Sequence, residues 1–360
     1  MVSFYFLIIL FFMAVLLIAL TYYLGVRVER LLSAHGINPG RKYTILALVV
    51  ISVMLFVLKS SLFGIIFYMV VLFILCDIIK AVLRLFEKEG KVLRLAERIY
   101  AKGMLVFWLS LIITIFAAYN AKNPVIKEYE IQIDKEMEKD LTVIMISDVH
   151  AGNSSKKKQF DRMLDMVNKE QADVICLCGD IFDESSSDEI ISYAFETFSK
   201  MEATYGIYYV KGNHDSNIAE EHYEEFKQSG ITVLNDETVL VGNRFYLTGR
   251  IDEIEGERAD LDTLLKQVDN KYPVIVLDHR PEKLAQVKSS AVDLQLSGHT
   301  HDGQLIPGNL LVGLFNDMAY GHKRFKNVNV VVSSGFGTWG LPVRTGSHSE
   351  IVKVVLQGSH

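Results

Sequence analysis

The chain has 360 residues, three cysteines and a formal net charge of −6 at neutral pH, a length that accommodates two or three domains. Half of its residues are hydrophobic, and charge divides it: residues 1–125 carry 13 Lys and Arg against 5 Asp and Glu, and the rest 24 against 38, so +8 and −14 sum to −6. So acidic a second part argues against a nucleic-acid partner, and three cysteines make no disulfide framework.

The apolar residues crowd the start. Residues 2–26 hold no charged side chain and no histidine, a run that can cross a hydrocarbon core ~30 Å thick. Three more runs follow, Tyr43–Leu58, Ser60–Cys76 and Gly103–Ala121. The middle two are short, and Lys59 between them can snorkel to an interface, as in a tight helical hairpin. A cleaved signal peptide is the rival reading of the first run, but that run lacks a basic start and further spans follow it.

Four spans put the loop with Arg27, Arg30, Arg41 and Lys42 on the same side as the loop with Lys80, Arg84, Lys88, Lys91, Arg94, Arg98 and Lys102. These loops hold 11 basic residues, against Lys59 alone in the turn on the other side. The basic bias predicts both loops in the cytoplasm and everything after Ala121 outside. The expected organisation is a multi-pass protein of the cell membrane, with a membrane domain over 1–125 and an extracytoplasmic domain over 126–357. Apolar residues at helical spacing (Val82, Leu85, Phe86, then Val92, Leu95, Ala96, Ile99), broken by Gly90, read either as a cytoplasmic helical loop over 80–102 lying along the membrane or as a plain solvated hairpin.

From Lys127 the hydrophobic period changes. "EYEIQID" alternates as a strand does, and "LTVIMISDVH", "ADVICLCGD" and "GIYYVKGNHD" are apolar runs of strand length. Helical stretches at Lys157–Lys169 and Asp188–Lys200 lie between them, which implies parallel strands covered by helices. Further strands are expected in a hairpin turning at Gly242-Asn243, and at Val274–Leu277, Val292–Leu296, Val328–Val332 and Ile351–Leu356. Cys176 and Cys178 read as core residues.

Polar residues gather where these strands end: Asp148 and His150, then Asp180, then Asn213, His214 and Asp215, then His279, then His299 and His301. Ligands of open α/β sheets collect at strand carboxyl ends, so these segments should converge. Gly179, Gly212 and Gly298 suit tight turns that aim the next side chain inward. Imidazoles and carboxylates without thiolate suit Mn, Fe, Co or Zn.

The ordered blocks "DVH", "GD", "GNHD", "H" and "GHTH" resemble the calcineurin-like metallophosphoesterase superfamily, and most of all its membrane-attached, bacterial-type members. The resemblance spans residues 140–357. It implies a four-layer α/β/β/α sandwich with a dinuclear centre. In that centre Asp148, His150, Asp180 and His301 would hold one ion, and Asp180, Asn213, His279 and His299 the other, Asp180 bridging. Two divalent ions ~3.5–4 Å apart would clamp a phosphate and lower the pKa of a water to make the nucleophile. His214, beside Asp215, is the candidate to protonate the leaving oxygen.

The remaining polar residues divide less sharply. His35, His222, His322 and His348 read as surface or supporting residues. "GFGTWGLPVR" reads either as a plain loop, or with Arg344 as a phosphate contact and Trp339 as a substrate wall or membrane-interface residue. In "DIFDESSSDE", Asp183 is either solvated or a support to the metals. The sequence predicts hydrolysis of a phosphodiester or pyrophosphate, lipid-linked, at the membrane surface. The alternatives are a soluble phosphodiester or a non-catalytic membrane scaffold on the same fold.

Overall fold

The computed structural model describes residues 4–86, 90, 91, 94, 97, 103–152, 155–253, 256–288 and 290–359. The chain divides into two compact units, Met1–Ala118 and Tyr119–His360. The first holds α1 (Phe4–Ala34), α2 (Arg41–Val57), α3 (Phe63–Phe86) and most of α4 (Met104–Lys122). Helix α1 runs past the uncharged stretch, since arginine is a good helix former; Arg27 in it pairs with Asp77 of α3, and the Tyr23 hydroxyl donates to the same carboxylate. Lys59 lies in the short connection between α2 and α3, and α3 continues well beyond Cys76. Among the described residues, α3 and α4 are long and apolar enough to cross a membrane by length and composition. The helix read over 80–102 falls largely outside the described residues; its first part, to Phe86, is the end of α3.

The second unit begins with the last turn of α4, ahead of the predicted 125/126 boundary, because that turn is bonded into it. Ser349 Oγ donates to Ala121 O at 3.1 Å, and Val125 N donates to Ser349 O at 2.9 Å. Its elements in chain order are β1 (Val125–Glu136), β2 (Leu141–Ile146), α5 (Lys157–Lys169), β3 (Val174–Cys178), α6 (Asp188–Phe198), β4 (Ile207–Val210), α7 (Ser216–Glu221), α8 (Tyr223–Gln228) and β5 (Ile231–Val233). There follow β6 (Glu237–Val241), β7 (Phe245–Gly249), α9 (Leu261–Leu264), β8 (Val274–Leu277), α10 (Leu284–Lys288), β9 (Leu294–Ser297), α11 (Gly308–Phe315), β10 (Gly321–Phe325), β11 (Val328–Val332) and β12 (Glu350–Ser359).

Two six-stranded sheets result, ordered β1-β12-β2-β3-β4-β5 and β10-β11-β9-β8-β7-β6. Strands β2 to β5 are parallel, as are β7, β8, β9 and β11. The sheets share one core, in which Val143, Met145, Cys176 and Cys178 of one meet Leu247, Ile275, Leu296 and Val331 of the other. The amphipathic α5 buries Phe160, Met163 and Val167, and with α6 covers the outer face of the first sheet. Leu261, Leu265, Leu284 and Val287 cover the second. The four-layer sandwich is therefore present: each sheet buries both faces, which is why its strands read as continuous apolar runs. The hairpin turns at Gly242 and Asn243, both at positive φ, as a tight primed turn requires.

Candidate metal centre

The parallel strands all deliver their carboxyl ends to one edge of the sandwich. Asp148 and His150 follow β2, Asp180 follows β3, Asn213 follows β4, His279 follows β8, and His299 and His301 follow β9. Backbone bonds knit these loops together. Asp148 N donates to Gly179 O at 3.0 Å, His150 N to Asp180 O at 3.1 Å, and Gly298 N to His279 O at 2.9 Å. Asp148, His150, Asp180, His299 and His301 all have left-handed backbones, φ between 47 and 71°. Such strain in residues with side chains persists only where the surroundings hold it, typically at functional sites.

Two donor groups result: Asp148, His150 and His301, and beside them Asp180, His279 and His299. Asp180 groups with the second set, its Oδ2 3.1 Å from His279 Nε2. His279 Nδ1 lies 2.8 Å from Cys178 O. A proton on Nδ1 makes that hydrogen bond and fixes the ring with Nε2 turned toward Asp180. His150 is oriented the same way, with Nδ1 3.3 Å from Asp183 Oδ2 and Nε2 3.2 Å from His301 Nε2. Asp183 is thus a support for His150.

These residues fit divalent ions. Two nitrogens 3.2 Å apart match two ligands at ~2.1 Å subtending about 100° at a shared ion. Asn213 Oδ1 is buried without a hydrogen-bond partner, the state of an atom that awaits a ligand. Burial, with Asp180 nearby, raises the Asp148 carboxyl above its usual range. Burial disfavours a charged His279, but Asp180 and Asp148 outweigh it and raise the ring to about 10. Burial and the charge of His279 lower His299 to about 3. Without cations the centre is a set of buried charges in conflict, which a divalent ion would relieve.

The glycines matter mainly for clearance. A Cβ on Gly212 would stand 2.2 Å from Asp180 Oδ1, and one on Gly298 would stand 2.3 Å from Asp148 Oδ2; neither has a positive φ. Both also open the tight turns expected of them: Gly212 O accepts Asp215 N at 3.3 Å, and Gly298 O accepts Thr300 N at 2.9 Å.

The profile of the calcineurin-like phosphoesterase family matches residues 141–303, which carry every candidate ligand. The chain carries a calcineurin-like phosphoesterase domain. A Helicobacter pylori protein described as an uncharacterized metallophosphoesterase is 35% identical over 235 residues, 63% of this chain and 62% of that protein. An uncharacterized metallophosphoesterase of Campylobacter jejuni is 29% identical over 296 residues, 78% of this chain and 76% of its own length. A Danio rerio transmembrane protein with metallophosphoesterase domain is 29% identical over 299 residues, 75% of this chain and 68% of its own. The chain thus spans 62% of the length of the Helicobacter relatives it matches.

Within this phosphoesterase domain two predicted roles change. Asp215 does not hold His214. Its buried carboxylate accepts Phe182 N at 2.7 Å and Gly212 N at 3.0 Å, and burial, with Asp180 beside it, raises its pKa to about 6. The partner of the His214 ring is Glu184, with Oε1 3.2 Å from Nδ1, a residue that reads in sequence as part of a solvated acidic run. His214 N donates to Asp180 Oδ1 at 2.8 Å, and its ring stands edge-on to His150 at 5.3 Å.

Arg344 is no phosphate contact, because it is fully buried. Its guanidinium donates to Ser347 Oγ and to the carbonyls of His348, Ser334 and Gly337, with Nη2 3.1 Å from His301 Nδ1. It ties the last loop together behind His301. Trp339 is exposed. His222 pairs with Glu225, and His322 lies 3.0 Å from Asn329 Oδ1; His348 is exposed, as is His35 in the first unit.

Proposed function

We propose that this chain is a multi-pass membrane protein whose domain is a dinuclear, metal-dependent phosphoesterase, acting outside the cytoplasm on a lipid-linked phosphate ester or pyrophosphate. The observation that carries the reading is the pair of adjacent donor groups, with oriented imidazoles and the unpartnered buried Asn213 Oδ1, at one edge of the sandwich. When bound, two divalent ions there would offset phosphate charge and acidify a water. Asp148, His150 and His301 would hold one; Asp180, Asn213, His279 and His299 the other, Asp180 reaching both. His214 carries the proton for the leaving oxygen, kept in place by Glu184 at Nδ1 and by its own backbone bond to Asp180.

The four apolar runs and their basic loops support four spans with the domain outside. The last turn of α4 belongs to the domain itself, so the chain enters the domain directly from a helix apolar enough to cross a membrane, and this supports a substrate carried at the lipid surface. The test compares the full chain with a chain starting at Tyr119. The shorter chain should keep metal-dependent hydrolysis of small chromogenic esters and lose about tenfold or more on a lipid phosphate in mixed micelles. Equal activity on both substrates would leave a soluble substrate as the better reading. No hydrolysis by either chain, with metals bound, would leave a scaffold.

A further inference from the structure

Helix α11 leaves an apolar face in solvent. Between Gly303 and Asn316 the chain holds no charged residue, and α11 buries none of its side chains. Leu310 is 71% exposed, Leu314 75% and Phe315 82%, with Leu311, Ile306 and Trp339 exposed beside them. Contiguous apolar surface of this kind on a folded domain marks a contact with lipid or protein.

Three observations select lipid. The first is position. Gln304, three residues past His301, accepts Trp339 N at 2.9 Å and donates to Trp339 O and Leu341 O, so helix and tryptophan share one base at the rim of the metal centre. The second is continuity. Thr345 Oγ1 accepts Ile306 N at 3.0 Å, and the neighbouring Arg344 carbonyl accepts from Asn120 Nδ2 in the last turn of α4 at 3.5 Å. The segment that seats α11 is therefore bonded to the end of a helix apolar enough to cross a membrane. The third is size. A helix of 8 residues is about 12 Å long and ~10 Å wide, a footprint on the order of 100–200 Å². A stable dimer needs roughly 800 Å² per partner.

We propose that α11, with Ile306 and Trp339, is an interfacial element that dips into the bilayer and seats the metal centre against the head-group layer. Leucines and phenylalanine enter the acyl boundary, and the tryptophan takes the head-group level that its amphipathic ring prefers. A lipid-borne phosphate could then reach the centre while its chains stay in the membrane. The inference rests on the membrane reading above and adds the surface that meets the lipid.

The test uses the full chain in phosphatidylcholine vesicles with Trp108→Phe, which leaves Trp339 as the single tryptophan. Phosphatidylcholine spin-labelled near the head of its acyl chain should quench Trp339 fluorescence by about half or more. Leu311→Glu with Leu314→Glu should abolish that quenching and leave small-ester hydrolysis within about twofold, because both side chains point into solvent. Quenching of Trp339 by aqueous iodide and not by labelled lipid would overturn the proposal. So would lipid protection that disappears in nanodiscs holding one chain each, since a second copy would then cover the face. Lipid quenching without metal-dependent hydrolysis would sink the enzyme reading and leave this one standing.

Discussion

Gly212→Ala tests whether the metal centre depends on clearance rather than on ligand identity alone. The added Cβ would stand 2.2 Å from Asp180 Oδ1 and 2.4 Å from Asp180 N, where ordinary contact begins at 3.4 Å, so something must move by 3.4 − 2.2 = 1.2 Å. Gly212 cannot yield freely, because its N–H donates to the buried Asp215 at 3.0 Å. Asp180 cannot escape by rotating its side chain, since its backbone nitrogen is crowded too, and its carbonyl holds His150 N at 3.1 Å. A shift of Asp180 therefore carries to both donor groups. Misplacement by about 1 Å typically costs on the order of 10²-fold in rate, or about 2.7 kcal/mol. Overpacking should cost about 1–3 kcal/mol in stability. Bound metal per chain, melting temperature and hydrolysis of a chromogenic phosphodiester would be measured together. Gly313→Ala is the control, at a glycine of ordinary φ with nothing within 4 Å of the new carbon. A folded Gly212→Ala protein with two metals and undiminished turnover would refute the reasoning.

Asp180→Asn should lower metal content and remove nearly all activity, and elemental analysis showing two ions in an active variant would end its bridging role. His214→Ala should keep its metals and slow turnover by roughly 10²–10⁴-fold, with a smaller loss for nitrophenyl esters. Equal losses for good and poor leaving groups would take His214 out of the acid role. Glu184→Gln should cost less than His214→Ala, because Glu184 orients Nδ1 from an exposed position (82%); a full His214-sized loss would make Glu184 part of the proton path. Asn243→Cys, at the exposed hairpin turn, should react with an impermeant thiol reagent on intact cells, and labelling only after lysis would place the domain in the cytoplasm.

Much of this molecule could be read from order and period alone. Helix α5 has its predicted bounds because its apolar residues recur at 3.6 and its charges fall on the other face, a property the segment carries by itself. The candidate ligands were legible because each follows an apolar strand, and parallel strands in closed layers must present their carboxyl ends together. What stayed hidden depends on pairs far apart in the chain. Asp183 and Glu184 sit in one acidic run, yet one faces His150 and the other His214. Arg344 invites a reading as a phosphate ligand, and only folding buries it against His301, 43 residues upstream. Helix α11 is an uncharged, mostly apolar run. Whether such a stretch becomes core or surface depends on what packs over it, and in this fold none of its residues is buried. Local chemistry selects the elements and the donors; which donors touch, and which apolar face is left open, follows from long-range packing that no single segment encodes.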